Sequence, residues 1–315
     1  MKRRGLALQA ALAAALALLA WWLYANVAQN LAERGIASGF AFLWREAGFE
    51  IGETSLLAYS AADSYLRALA VGLANTLRVA ALGVVLATVL GAAVGLARLA
   101  PNWLLARIAG AYVETVRNIP LLVQLFFWYT LITESLPPPA EALQPLPGLY
   151  LSNRGIFFPL PGSAPQLSGF NFTGGAGLTP EFAALLVGLV TYTAGFIAEI
   201  VRAGILSVPR GPREAARSLG LARGDELRHV VLPQALRLMV PPMTSQYLNL
   251  AKNSSLAVAI GYPDLVSIAN TAMNQTGQAI EGVAVIMAVF LTISLSISAF
   301  MNWYNRRSAL RGLAA

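Results

Sequence analysis

The feature that most constrains this chain is a set of apolar runs too long for an ordinary soluble core. They fall at about residues 6–27, 69–97, 112–132, 182–205, 236–260 and 280–303. A helix rises about 1.5 Å per residue, so about 20 apolar residues cross about 30 Å of hydrocarbon. In lipid every backbone amide needs a partner within the protein, and a helix supplies one within the segment. Hydrophobic residues make up 57% of the 315 residues and charged residues 12%. Soluble chains run nearer 45–50% and about 25%. The fold class expected is therefore an all-α polytopic membrane protein with six spans.

The first run follows Lys2, Arg3 and Arg4. A cleaved signal also opens with cations, but its apolar part is about 7–15 residues and this one is about 20. Trp21, Trp22 and Tyr24 stand near its far end, as in an interfacial belt. It is read as a retained anchor helix. The chain has no cysteine, and its one histidine, His229, cannot build a histidine metal site alone. The formal charge of +7 does not mark a nucleic-acid partner, because the cations recur at the ends of apolar runs rather than in one patch.

Those cations orient the chain. The N-terminus, the loop with Arg98, Arg107 and Arg117, the segment from Arg202 to Arg237, and the end with Arg306, Arg307 and Arg311 hold 16 of the 22 Lys and Arg. With six spans all four regions share one side, which the positive-inside rule makes cytoplasmic. The segments 28–68 and 135–180 are then external. The second is rich in Pro, Gly, Ser and Asn, has Arg154 as its one cation, and reads as a long loop.

One cytoplasmic segment is dense in charge: EAARSLGLARGDELRHVVLPQAL, Glu214 to Leu236. Pro212 suits the first turn of a short helix and Gly220 its end. Asp225 is placed to cap a second helix, and Pro233 marks its return toward lipid. The Ala215-Ala216 pair lets another surface approach closely. From the residues alone, the segment is either a docking knob or a charged hairpin that anchors topology.

The spacing Glu214-Ala215-Ala216, three residues, Gly220, nine residues, Val230, one residue, Leu232-Pro233 resembles the EAA loop of ABC-importer permeases, with Val230 in place of the usual isoleucine. VRNIPLLVQLFFWY (Val116–Tyr129), LAKNSSLAVAIGYPDLV (Leu250–Val266) and GLANTLRVA (Gly72–Ala80) resemble segments of the polar-amino-acid permeases, and LSNRGIFFP (Leu151–Pro159) is similar to the general L-amino-acid branch. The resemblance covers about residues 68–305. It implies a type I ABC importer transmembrane domain over 68–305. That is a five-span core preceded by an anchor helix and external segment (1–67) and followed by a cytoplasmic tail (306–315). The coupling loop is 206–233, and both termini are cytoplasmic.

The resemblance also implies partners. A second permease chain, homologous or identical, completes the path. Two ATPase subunits bind ATP and Mg, and an external solute-binding protein delivers substrate in a bacterial inner membrane. Docking on the ATPase falls to Glu214, Ala215, Ala216, Gly220, Leu221, Leu232 and Pro233. The chain itself has no G-x-x-x-x-G-K-[ST], and its only lysines are Lys2 and Lys252, so no phosphate-cradling loop and no catalytic role are expected.

Lys252 sits in the fifth apolar run, followed by Asn253, Ser254 and Ser255. A cation there costs about 2.5–3.5 kcal/mol on insertion scales and usually faces a cavity or a partner. The serines let the helix break beside a water-filled path. Lys252 is read as a gate or substrate element, against a staple to Glu199 or Glu114. Gln124 either lines the path or makes an interhelical hydrogen bond, and Asn118, where the family more often has R-G-T-P, joins the path set. Glu199 with Arg202 and Glu114 with Arg117 are read as i,i+3 pairs, and Pro241-Pro242 as a kink. The alternatives to an importer subunit are an ion-coupled secondary transporter, which needs repeats or several embedded carboxylates, and a non-transporting membrane scaffold.

Overall fold

The computed structural model describes residues 2–33 and 38–310; the end of the expected tail, from 311 on, lies outside them. Helix α1 (Lys2–Glu33) is continuous, and no described residue of its apolar window, Gln9–Val27, is buried. The core is built on α2 (Tyr65–Ala97) and α5 (Pro180–Leu206). Both start with a cap: the Ser64 hydroxyl accepts from Arg67 N, and the Thr179 hydroxyl from Phe182 N with Pro180 in the first turn.

These two helices run side by side in the same direction. Arg78 lies against Phe182, Gly91 against Ile197 and Gly95 against Val201. Glycine is required at the last two contacts. A Cβ on Gly91 would stand 2.6 Å from Ile197 Cβ, and one on Gly95 2.7 Å from Ala198 O. The Gly91-xxx-Gly95 spacing lets two backbones approach where lipid offers no hydrophobic drive.

The run at 112–132 is not one helix. It is divided between α3 (Trp103–Asn118) and α4 (Leu121–Ser135), of 16 and 15 residues. Ile119 and Pro120 between them are extended. Proline forces this: its ring excludes the helical region for the preceding residue, and it has no N–H to give. Four helices of the described chain are long and apolar enough to cross a membrane, counting α10 (Ala279–Leu310) with α1, α2 and α5. A fifth span exists if Glu226–Ile260 and Leu265–Thr276, bent by 52°, are taken as one.

The segment 135–180 is also not a loop, and the chain is not all-α. After α4 it folds into strands β1 (Leu143–Leu146), β2 (Leu149–Ser152), β3 (Gly155–Phe158), β4 (Gln166–Ser168), β5 (Asn171–Thr173) and β6 (Ala176–Leu178). One antiparallel sheet has the order β1-β2-β3-β6, and β4-β5 is a separate hairpin. Tyr150 stacks on Phe172 at 4.6 Å, and Phe157 meets the same ring at 5.0 Å, which joins the hairpin to the sheet. The sequence hid this because the turn residues outnumber the short apolar pairs between them. Ile156 and Leu178 pack on the core cluster that includes Phe182 and Leu185, and β6 ends two residues before α5 begins, so the sheet sits at the start of α5.

Past α5 come α6 (Arg210–Ser218), α7 (Arg223–Asp225), a π-turn at Glu226–Val231 and α8 (Leu232–Asn253). α8 runs back against α2 and α5: Met239 meets Gly204 and Leu250 meets Gly83. A 3-10 turn, Ser254–Ile260, follows, then α9 (Leu265–Thr276), capped by Asp264.

Candidate functional site

The charged segment Glu214–Pro233 sits at the C-terminal end of α5. α6 ends as the sequence requires. Gly220 has φ +81°, the left-handed region that glycine enters without strain, and Leu221 N reaches back to Ala216 O at 3.1 Å. The second helix differs from expectation. It begins at Arg223, so Asp225 is inside it with helical φ and makes no side-chain cap bond. Glu214 is the fifth residue of α6, not part of its first turn, so it has no helix-dipole role there.

The expected docking residues divide by exposure. Glu214, Ala215, Gly220 and Pro233 are exposed, Leu221 and Leu232 partly buried, and Ala216 is turned inward. Leu219, which the motif spacing does not single out, is 81% exposed beside Gly220. His229 is exposed, its Nδ1 3.1 Å from Asp225 O. The Glu226 carboxylate, 5% exposed, accepts from Arg217 Nε at 2.7 Å, and this bond holds the Arg217 guanidinium above its ordinary pKa.

The second expected site centres on the end of α8. Lys252 is exposed and makes no ion pair among the described residues. The proposed staple to Glu199 does not form, because Glu199 is held by Arg98 of the α2 end and by Arg202 at 2.5 Å. Nor does Glu114 pair with Arg117; the Arg117 guanidinium lies 4.9 Å from the Phe196 ring centroid. The helix changes form after Asn253. The Ser254 hydroxyl donates to Ala251 O at 2.8 Å and Ser255 to Lys252 O at 2.7 Å, and Gly261 turns the chain with φ +77°.

Two members of the path set take different places. Gln124 is buried and gives its amide to Val116 O at 2.8 Å and Ile119 O at 3.0 Å. It satisfies carbonyls that the Pro120 break leaves open, as the hydrogen-bonding alternative expects. Asn118, the last residue of α3, is exposed.

The GLANTL segment has a tertiary meaning. Asn75 Nδ2 donates to Pro263 O and to Glu53 O, both at 2.9 Å, and the Thr76 hydroxyl accepts from Leu265 N at 3.1 Å. A Cβ on Gly72 would stand 2.9 Å from Leu265 Cα. The motif therefore packs on the turn that follows the α8 break.

Residues 83–309 match the family model described as binding-protein-dependent transport system inner membrane component. The chain belongs to that family. YhdX of Escherichia coli K12 is 47% identical across 92% of this chain and 90% of its own. The general L-amino acid transport system permease protein AapQ of Rhizobium johnstonii is 43% identical across 92% and 88%. Among solved structures, one described as an amino acid ABC transporter with histidines matches 77% of this chain and 95% of its own at a TM-score of 0.58 and 27% identity. The permease is thus an ABC importer transmembrane subunit with a type I fold, and a component of the inner membrane.

The permease holds one site that sequence reasoning missed. Glu53, 7% exposed, pairs with Arg78 at 2.9 Å and accepts from Ser55 at 2.6 Å and Thr179 at 3.2 Å, while the Phe182 ring covers the guanidinium at 4.2 Å. Arg78 inside an apolar run was the one available signal: a cation there needs a partner. Beside it lies a cavity of about 350 Å³ lined by Glu50, Glu53, Thr179, Glu181, Ser267 and Thr271, among others.

Proposed function

We infer that this permease forms part of the membrane path of an ATP-driven importer of L-amino acids, polar or broad in range. One observation carries the reading. The EAA spacing falls on an exposed helix with a left-handed glycine at its end, in a chain whose relatives are named as amino-acid permeases along nearly their whole length. α6 is then the coupling helix. It docks on one of two ATPase subunits, which bind ATP and Mg, and a second permease chain completes the path. A solute-binding protein delivers substrate at the sheet end, which is external, and both termini are cytoplasmic. The count of cations by side supports that orientation.

The mechanism is alternating access. Closure of the ATPases on ATP brings the coupling helices together, the path opens to the binding protein, and hydrolysis resets it. Lys252 lies at the helix break as an exposed cation without a counter-charge among the described residues. An unpaired ammonium is costly in hydrocarbon and stable in a hydrated path, where it can meet a substrate carboxylate. Lys252, Asn253, Ser254 and Ser255 are the path elements proposed. Gln124 is left out for the reason above, and Asn118 remains as an exposed residue at the α3–α4 break.

Co-purification and uptake test the reading together. Gly220→Val places a branched side chain at positive φ and is expected to release the ATPase while the permease stays in the membrane; Glu214→Ala, on the exposed face, weakens the contact less. Lys252→Ala is expected to abolish uptake by an assembled complex. Normal uptake and a retained ATPase in Gly220→Val would end the coupling-helix reading. The chain has no cysteine, so Arg3→Cys and Gly312→Cys report topology. Both are expected to resist an impermeant thiol reagent added outside the cell, and labelling of either overturns the orientation.

A further inference from the structure

Beneath α6 the packing is interrupted. A cavity of about 410 Å³ lies between α6, the ends of α2 and α5, and the π-turn, lined by Leu96, Leu99, Ile205, Leu206 and Leu227 among others. Ala216 is the one residue of α6 that is buried. Close-packed interiors transmit displacement well because neighbouring atoms leave no slack. A cavity has that slack, so a push on α6 does not reach the α2–α5 core through apolar contact across this gap.

Two arginines of α6 border the cavity and reach its far walls. Arg213 Nη2 donates to Ile205 O at 2.7 Å, in the last turn of α5. Arg217 holds Glu226 with Nε at 2.7 Å and Nη2 at 3.3 Å. Glu226 opens the π-turn that continues into α8, the helix that carries Lys252 at its other end. A two-point grip by a planar guanidinium fixes direction as well as distance. A π-turn departs from the regular helical ladder, and such departures recur at functional sites.

We propose that Arg213 and the Arg217–Glu226 pair are the struts through which α6 moves α5 and α8, and so are positioning residues for coupling. The proposal rests on α6 being the coupling helix and adds the route by which its motion enters the membrane core. Arg213 drives the C-terminal end of α5. The pair drives the start of α8, whose far end is the Lys252 break. Docking on the ATPase belongs to the exposed face of α6, and the struts belong to its inner side.

The test uses the assembled transporter with its ATPase, in liposomes, with the binding protein and a mixture of radiolabelled L-amino acids. Uptake per ATP hydrolysed is compared for Arg217→Glu, Glu226→Arg and the double exchange. Each single variant is expected to keep the ATPase and lose about tenfold in uptake per ATP, and the exchange to return within about threefold, as for directly coupled residues. Glu226→Arg puts a cation at a buried position, so Arg217→Gln, which places no charge in the interior and keeps a hydrogen-bonding side chain, is measured beside it, with the same expected loss and with thermal unfolding as the check on folding. Unchanged uptake per ATP in the single variants overturns the proposal, and so does an exchange no better than they are. Loss of the ATPase from Arg217→Gln also overturns it, by making the pair a docking element. A Gly220→Val protein that keeps its ATPase counts against the coupling-helix reading instead, so the two failures are distinguishable.

Discussion

The two ends of α5 are held by charge in different ways. At the sheet end, Glu53 and Arg78 are largely out of water, with side chains 8% and 18% exposed, and the surrounding hydroxyls and the Phe182 ring fill the remaining contacts. At the loop end, Glu199 holds Arg98 and Arg202 with side chains 17–32% exposed, and Arg217 is 61% exposed where it grips Glu226. A desolvated pair has no substitute for its partner, since separation leaves a bare charge in a poor solvent. At the loop end the Glu199–Arg202 pair, 29% and 32% exposed, keeps enough water to exchange its partner at smaller cost. The sheet end therefore ties the segment around Glu53 to α2 and to the start of α5, while the Glu199–Arg202 pair at the loop end is freer to rearrange.

Arg78→Ala is the strongest way to break this contrast. It strands Glu53 and is expected to cost about 3–5 kcal/mol, the range for removing one partner of a buried pair. Thermal unfolding in detergent measures it, and a loss below about 1 kcal/mol would put the sheet end in the same class as surface pairs. Gly95→Val comes next. Its Cβ meets Ala198 O at 2.7 Å and Val201 Cβ at 2.9 Å, so the α2–α5 contact must open. Overpacking of this kind costs about 1–3 kcal/mol, and the same unfolding assay reads it. A neutral result would mean that the two helices slide rather than lock between their ends. Glu199→Gln is the mildest, at about 1 kcal/mol or less. A loss as large as that of Arg78→Ala would erase the difference between the ends.

Much of the architecture was legible because it follows from local chemistry. The apolar runs gave α1, α2, α5 and α10, and Gly220 gave the end of α6. The EAA spacing and the GLANTL and LAKNSS segments gave the family. The misses have physical reasons. Pro120 cut a run that hydropathy averaging had joined. Strands of three or four residues between glycines carry too little periodicity to stand out from a loop. Asp225 is inside the second helix and not its cap because that helix begins at Arg223.

The site divides along the same line. Sequence by itself determined that the chain crosses the membrane, that one charged segment does not, that Gly220 must turn it, and that Lys252 is a cation in apolar surroundings. Each of these is a property of a residue and its near neighbours along the chain. Only the tertiary structure decided which partners those residues have. Arg78 found Glu53, 25 positions away; Glu199 found Arg98, 101 positions away; Asn75 found Pro263, 188 positions away; and Lys252 found no ion-pair partner among the described residues. Hydrophobic periodicity reports which face of a helix is buried and not what it is buried against. The partner is chosen by helix packing over long separations, and no local pattern encodes it.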